Sequence, residues 1–394
     1  MWNQISRVRK DTVKLCEALI NEEFVIQTAP FVSPPKWHLG HTTWFFEEFF
    51  LKTHSPDYQE FHPAFAKLLN SYYHTVGEFW PQGQRGLLAR PSVAEIMDYR
   101  AYVEDRLHTW LNQNPVSSRV REILSLGCNH EQQHQELLWM DTKYNAFQNP
   151  LCRENWKPAE VPSPKRFEGG SAPIEFIHFD PGSVSIGNDG DPHFSYDNEG
   201  PRHVRHVKPF ALADRLVSNG EYLEFIESCA YINHEHWLSD GYLLVQKGLQ
   251  GAPLYWFQRE NQWYEFDGTF SAPLDLSAPV QHVSFYEAAA YAFWRGHRLP
   301  YEEEWESVAE SPRLKDMNEK LWQWTLSPYQ PYPGYRRPKG AFGEYNQKFM
   351  INQVVLRGGC FRTPEGHHRV TYRNFFYPDQ KWMFSGIRLA KDLT

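Results

Sequence analysis

Cysteine is scarce and scattered. The 394-residue chain has five (Cys16, Cys128, Cys152, Cys229 and Cys360), an odd number with no CxxC pair, which argues against a disulfide framework and a cysteine-rich zinc site. No run of eighteen apolar residues occurs, so no membrane span is expected. The opening MWNQISRVRK lacks a long apolar stretch, so export is not expected either. Dense Lys/Arg runs are also missing. At a formal net charge of −8, the chain lacks the positive field that follows a phosphate backbone, so nucleic acid is not an expected partner. A reducing, cytoplasmic location fits these absences.

Apolar residues make up 41% of the chain, enough for two cores, and 394 residues are long for one. Residues 1 to about 147 read as helical: Arg7 to Glu23, Lys36 to Lys52 after Pro34-Pro35, Ser92 to Asn112 after Pro91, and Arg119 to Gln148. Four such segments predict a four-helix bundle. A stretch dense in Pro, Gly and charge follows, so the expected division is a helical domain over 1–150, a linker over 151–172 and a second domain over 173–394. Beyond the linker come short strand-like pieces (176–179, 184–186, 354–356) and two helical segments (218–227, 285–296), an irregular α+β pattern.

The most informative motif is His130-Glu131-Gln132-Gln133-His134. Two imidazoles four residues apart on a helix share a face and can hold one metal ion. The spacing also satisfies HExxH, which opens a zinc-hydrolase reading with Glu131 as general base. A third imidazole from a second bundle helix would instead complete a three-histidine site with open coordination positions. The segment WHLGHTTWFF supplies His38 and His41. His41 is the candidate ligand, although spacing alone does not separate it from His38.

WHLGHTTWFFEEFFL, NSYYHTVG (70–77), RGLLARP (85–91) and HEQQHQELL (130–138) together resemble the DinB-like domain of the ergothioneine-pathway sulfoxide synthases. GEYLEFI (220–226), PVQHVSFYEAAAYAFW (279–294), RLPYEEEWE (298–306), LWQWT (321–325), RGGCFRTP (357–364) and GIRLAKD (386–392) resemble the formylglycine-generating-enzyme-like domain fused behind it, a C-type-lectin-like fold. The resemblance covers nearly the whole chain. It implies Fe(II) held by His41, His130 and His134, O2 as co-substrate, and a thiol joined as a sulfoxide to C2 of the imidazole of Nα-trimethylhistidine (hercynine). Gln133, Asn374, Phe375, Phe376 and Arg373 then fall to the betaine, the Tyr72-Tyr73 pair to proton donation near oxygen, and Arg85 and Arg90 to the donor's carboxylate.

The chain departs from the family pattern before RGLL, where 78–84 reads EFWPQGQ without basic residues. It departs again at Lys381, which stands in an arginine's place. Fewer cations disfavour γ-glutamylcysteine relative to cysteine as donor. A selenoneine-type synthase using a selenosugar is the alternative reading.

Overall fold

The computed structural model describes residues 1–155, 172–189, 194–248, 251–268 and 270–393, so most of the expected linker (156–171) lies outside the described residues. The chain divides into two compact units. One comprises Met1–Val161 with Gly268–Phe270 and Pro338–Tyr345, and the other holds the remainder. Two short pieces from the second half of the sequence therefore belong to the first unit.

Four long helices build that first unit: α1 (Trp2–Lys14), α2 (Pro35–Phe46), α3 (Val93–Gln113) and α4 (Ser118–Gln148). Proline at the first helical position starts α2, where a missing N–H costs nothing. Ser92 and Glu95 form a reciprocal capping box on α3, and Ser117 caps α4. The first helix lies earlier than the sequence suggests, at 2–14 instead of 7–23. Its buried stripe of Ile5, Val8, Arg9 and Thr12 decides this, because helical spacing onto the bundle ends with Thr12. Helix α2 is buried along its whole length, so it runs through the centre of the bundle and places its histidines away from water.

Among its described residues the second unit contains a four-stranded sheet, two three-stranded sheets and a two-stranded ribbon. In the largest, β1 (Trp322–Pro328), β2 (Val354–Arg357), β3 (Asn374–Phe376) and β4 (Ser385–Gly386) take the order β3-β2-β1-β4. Strand β3 is an antiparallel edge on β2, pairing Asn374 with Leu356 and Phe376 with Val354. Capping boxes at Ser218 and Ser284 begin the two expected helices, Asn219–Glu227 and Phe285–Trp294. No described helix is long and apolar enough to cross a membrane. All five cysteines are free.

Candidate metal centre

His41 on α2 and His130 and His134 on α4 converge in the first unit, each offering one nitrogen within 4.8 Å of the others, and all three are buried. Burial drives all three imidazoles to the neutral form: it pushes His130 down to about 3 and, with His130 as neighbour, holds His41 and His134 well below the usual histidine range. Neutral imidazoles with no carboxylate or thiolate in the cluster are a donor set for a borderline divalent transition metal. The residues therefore fit the ion that the sequence implies.

Hydrogen bonds select the metal-facing nitrogen on two of the three rings. His41 Nδ1 donates to the Leu69 carbonyl at 2.6 Å, leaving Nε2 as its lone-pair nitrogen. His134 Nδ1 lies 2.8 Å from His38 Nδ1, and His38 Nε2 lies 3.0 Å from Asp141 Oδ2. A carboxylate only accepts here, so His38 carries its proton on Nε2 and accepts from His134 at Nδ1. His134 thus also presents Nε2. His38, which spacing left open as a ligand, lies behind His134 and is not itself part of the cluster. The buried Nδ1 of His130 has no hydrogen-bond partner among the described residues.

Aromatic rings hold His41 from both sides. Trp37 stacks on it at 4.4 Å between centroids and 12° between planes, and Trp44 lies on the other side at 5.4 Å and 19°. The close approach of Leu69 needs Gly40: a Cβ there would stand 2.7 Å from Leu69 Cδ2 and 3.0 Å from Ile96 Cδ1. Gly40→Ala is expected to cost about 1–3 kcal/mol by overpacking and to loosen the Leu69 anchor of His41. A melting temperature equal to that of the wild type would show that Leu69 yields without cost.

The glutamate of the HExxH motif does not face the cluster's open side. Glu131 is fully buried and paired with Arg100 (2.7 Å) and Arg9 (3.3 Å). Burial alone would raise its carboxyl, but the Arg100 and Arg9 guanidiniums overcome that and hold it below the ordinary glutamate value. A general base must reach a water on the metal, and this carboxylate is committed elsewhere. The zinc-hydrolase reading fails on this point.

The other expected residues are distributed unevenly. Tyr73 is buried against Trp44 and Phe49, with Tyr72 stacked on it at 4.7 Å. Burial and Tyr72 keep its phenol protonated, well above the usual tyrosine range. Gln133 receives a hydrogen bond at Oε1 from the Tyr345 hydroxyl at 2.5 Å, and the Tyr345 ring lies 5.8 Å from His130. Tyr345 is a residue that sequence reasoning missed. It arrives on the 338–345 segment, which Glu344 ties to the backbone N–H groups of His74 (3.0 Å) and Thr75 (2.9 Å). No local motif marks it. Asp141 was also missed, though its position two helical turns after His134 puts it on the same stripe of α4.

Arg85 is buried, its guanidinium 3.3 Å above the Trp37 ring and bonded at 2.8 Å to Ser33 Oγ. It has no ion pair among the described residues, and burial lowers it to about 9 in spite of Asp141. Arg90 is 82% exposed and pairs with Glu95 at the start of α3, where it supports the helix cap. Arg373 is buried in the second unit with four of its five N–H groups given to Glu302, twice, and to the Asn198 and Gln330 carbonyls, so it anchors the strand at 374–376. Asn374 and Phe376 share one face of that strand, and Phe375 projects to the other, stacked on Tyr329 at 4.0 Å. Lys381 is consumed by buried Glu287 and the Ala252 carbonyl, both at 2.9 Å.

A cluster of three neutral imidazoles on a helical bundle, with the neighbouring glutamate locked in the core, is a donor set for a borderline divalent transition metal. The DinB superfamily model matches residues 4–138, and the sulfatase-modifying factor enzyme 1-like domain matches 163–315. The hercynine oxygenase of Mycobacterium tuberculosis is 27% identical over 99% of this chain and 98% of its own. Ergothioneine biosynthesis protein 1 of Schizosaccharomyces pombe is 27% identical over 51% of this chain and 28% of its own. The inactive C-alpha-formylglycine-generating enzyme 2 of Bos taurus is 31% identical over 54% of this chain and 67% of its own. The chain belongs to the two-domain ergothioneine-pathway oxygenase family that joins a DinB-like to a formylglycine-generating-enzyme-like domain.

Proposed function

We propose that the protein is an Fe(II)- and O2-dependent sulfoxide synthase that joins a thiol to C2 of the imidazole of hercynine, with cysteine favoured as donor. The observation that carries this reading is the buried His41, His130 and His134 cluster in a chain similar from end to end to a hercynine oxygenase. When bound, the iron supplies oxygen activation and gathers thiolate and imidazole, so that an intermolecular coupling becomes an intramolecular one.

The chain's own residues do the rest. The carboxamide of Gln133, oriented by Tyr345, presents an N–H donor to the betaine carboxylate. Asn374, Phe375 and Phe376 enter through the family resemblance, as groups suited to a trimethylammonium and its carboxylate. Arg85 is a buried cation short of a counter-charge and takes the donor's carboxylate. One such arginine suits cysteine, and with Arg90 on the surface and Lys381 paired to Glu287 neither supplies a second cation for γ-glutamylcysteine. Tyr72 and Tyr73 hold protons ready for reduced oxygen. The reading includes a reducing, cytoplasmic setting, in keeping with five free cysteines.

The test is mass spectrometry of products from Fe(II)-loaded protein given O2, hercynine and, separately, cysteine, γ-glutamylcysteine or a selenosugar. A cysteine sulfoxide adduct is expected. A selenium adduct alone would replace the donor assignment, and no adduct with oxygen unconsumed would sink the reading. In the Tyr72→Phe, Tyr73→Phe double variant, sulfoxide formation is expected to fall about 10²- to 10⁴-fold, the range for a lost general acid, with thiol diverted to sulfinic acid. An unchanged rate and product ratio would remove both tyrosines from the chemistry.

A further inference from the structure

We infer that His38 and Asp141 are positioning residues for the metal: they form a relay, Asp141 to His38 to His134, that fixes one ligand's tautomer and ring orientation and makes it the most electron-rich of the three. The three ligands are supported unequally. Among the described residues, His41 leans on a neutral carbonyl, His130 has no partner at Nδ1, and His134 alone connects to a carboxylate. A ligating imidazole that donates its second N–H toward a carboxylate is held in one orientation and becomes a stronger donor. Here the carboxylate acts through an intervening imidazole, which carries the polarisation one ring further from the metal.

The relay is built, not incidental. His38 and Asp141 are both buried, and Asp141 Oδ2 also accepts the Ser33 backbone N–H at 2.8 Å, so the far end is fixed to the main chain. Ser33 Oγ in turn accepts from Arg85, whose guanidinium stacks on Trp37, and Trp37 stacks on His41. His134 and His41, on two helices, are thus linked by one chain of contacts that passes through the Ser33 main chain.

The inference rests on reading the triad as a metal site and needs nothing from the sulfur chemistry. Its test is anaerobic Fe(II) binding to the full metal-free chain, by competition with a chelator, together with the midpoint potential of the bound iron. His38→Leu is expected to raise the Fe(II) Kd about 10- to 100-fold, the usual cost of losing such a partner. His38→Gln keeps one acceptor and one donor and should stay within about threefold of wild type. Asp141→Asn, which removes the charge but keeps an acceptor, should raise the potential with a smaller loss of affinity. Equal losses in His38→Leu and His38→Gln would reduce His38 to packing and overturn the relay, as would wild-type affinity in both. Should His38→Leu fail to fold, a wild-type potential in Asp141→Asn overturns it equally. Wild-type protein that binds no Fe(II) would defeat the metal reading itself, a different failure from insensitive variants.

Discussion

Protein carrying His134→Ala is expected to bind Fe(II) at least about 100-fold more weakly than wild type, since loss of an outer partner alone costs up to that much and this change removes the ligand. Product formation should fall to background. The reason is geometric: His41, His130 and His134 are the one cluster of its kind among the described residues. Two imidazoles left on one bundle cannot hold the ion against water. His38 cannot substitute, because its Nε2 faces Asp141. Anaerobic titration with Fe(II), with circular dichroism to confirm folding, checks the outcome. A folded variant with wild-type affinity would remove His134 from the ligand set and with it the proposed mechanism.

Glu131→Ala is expected to destabilise the bundle by about 3–5 kcal/mol, the cost of leaving a buried charge without its partner. Two charges are stranded here, since Arg9 and Arg100 both pair with this carboxylate and also lie near each other. Burial and Arg100 already bring the Arg9 guanidinium below its ordinary value, so the cluster holds only while Glu131 is ionised. The sign follows from linkage. The folded-state carboxyl titrates below the ordinary value of 4.5, so its stabilisation is present above that pH and is lost as pH falls through the lower folded value. Urea denaturation of the metal-free chain at pH 7 and near pH 4 measures both effects. A hydrolase would respond the other way, losing activity with unchanged stability. An urea midpoint identical to wild type at pH 7 would refute the buried-pair account.

The four bundle helices and the strands at 176–179, 184–186 and 354–356 were legible because each carries its signal locally. Pro35 starts one helix, Ser92 and Ser117 cap two more, and apolar residues recur at the period of the element. The bounds of the first helix were misread because burial against neighbours, rather than propensity, sets them at Trp2 and Lys14. The partners of Arg373 and Arg90 were not legible, because charge on a sequence does not say whether a partner waits. Glu302 lies 71 residues from Arg373, and no spacing rule connects them.

What the sequence determined by itself is the ligand types and the two-domain plan: helical spacing places His130 and His134 on one face, and two ordered sets of motifs name the two domains. Tertiary structure alone decided that His41, and not His38, joins His130 and His134 in one cluster, and it sent Glu131 into the core. It also brought Tyr345 onto Gln133 across 212 positions and set Asp141 behind His38 across 103. The reason is that local periodicity fixes which face a side chain takes, whereas a hydrogen bond between distant segments forms only after packing has brought its two ends together.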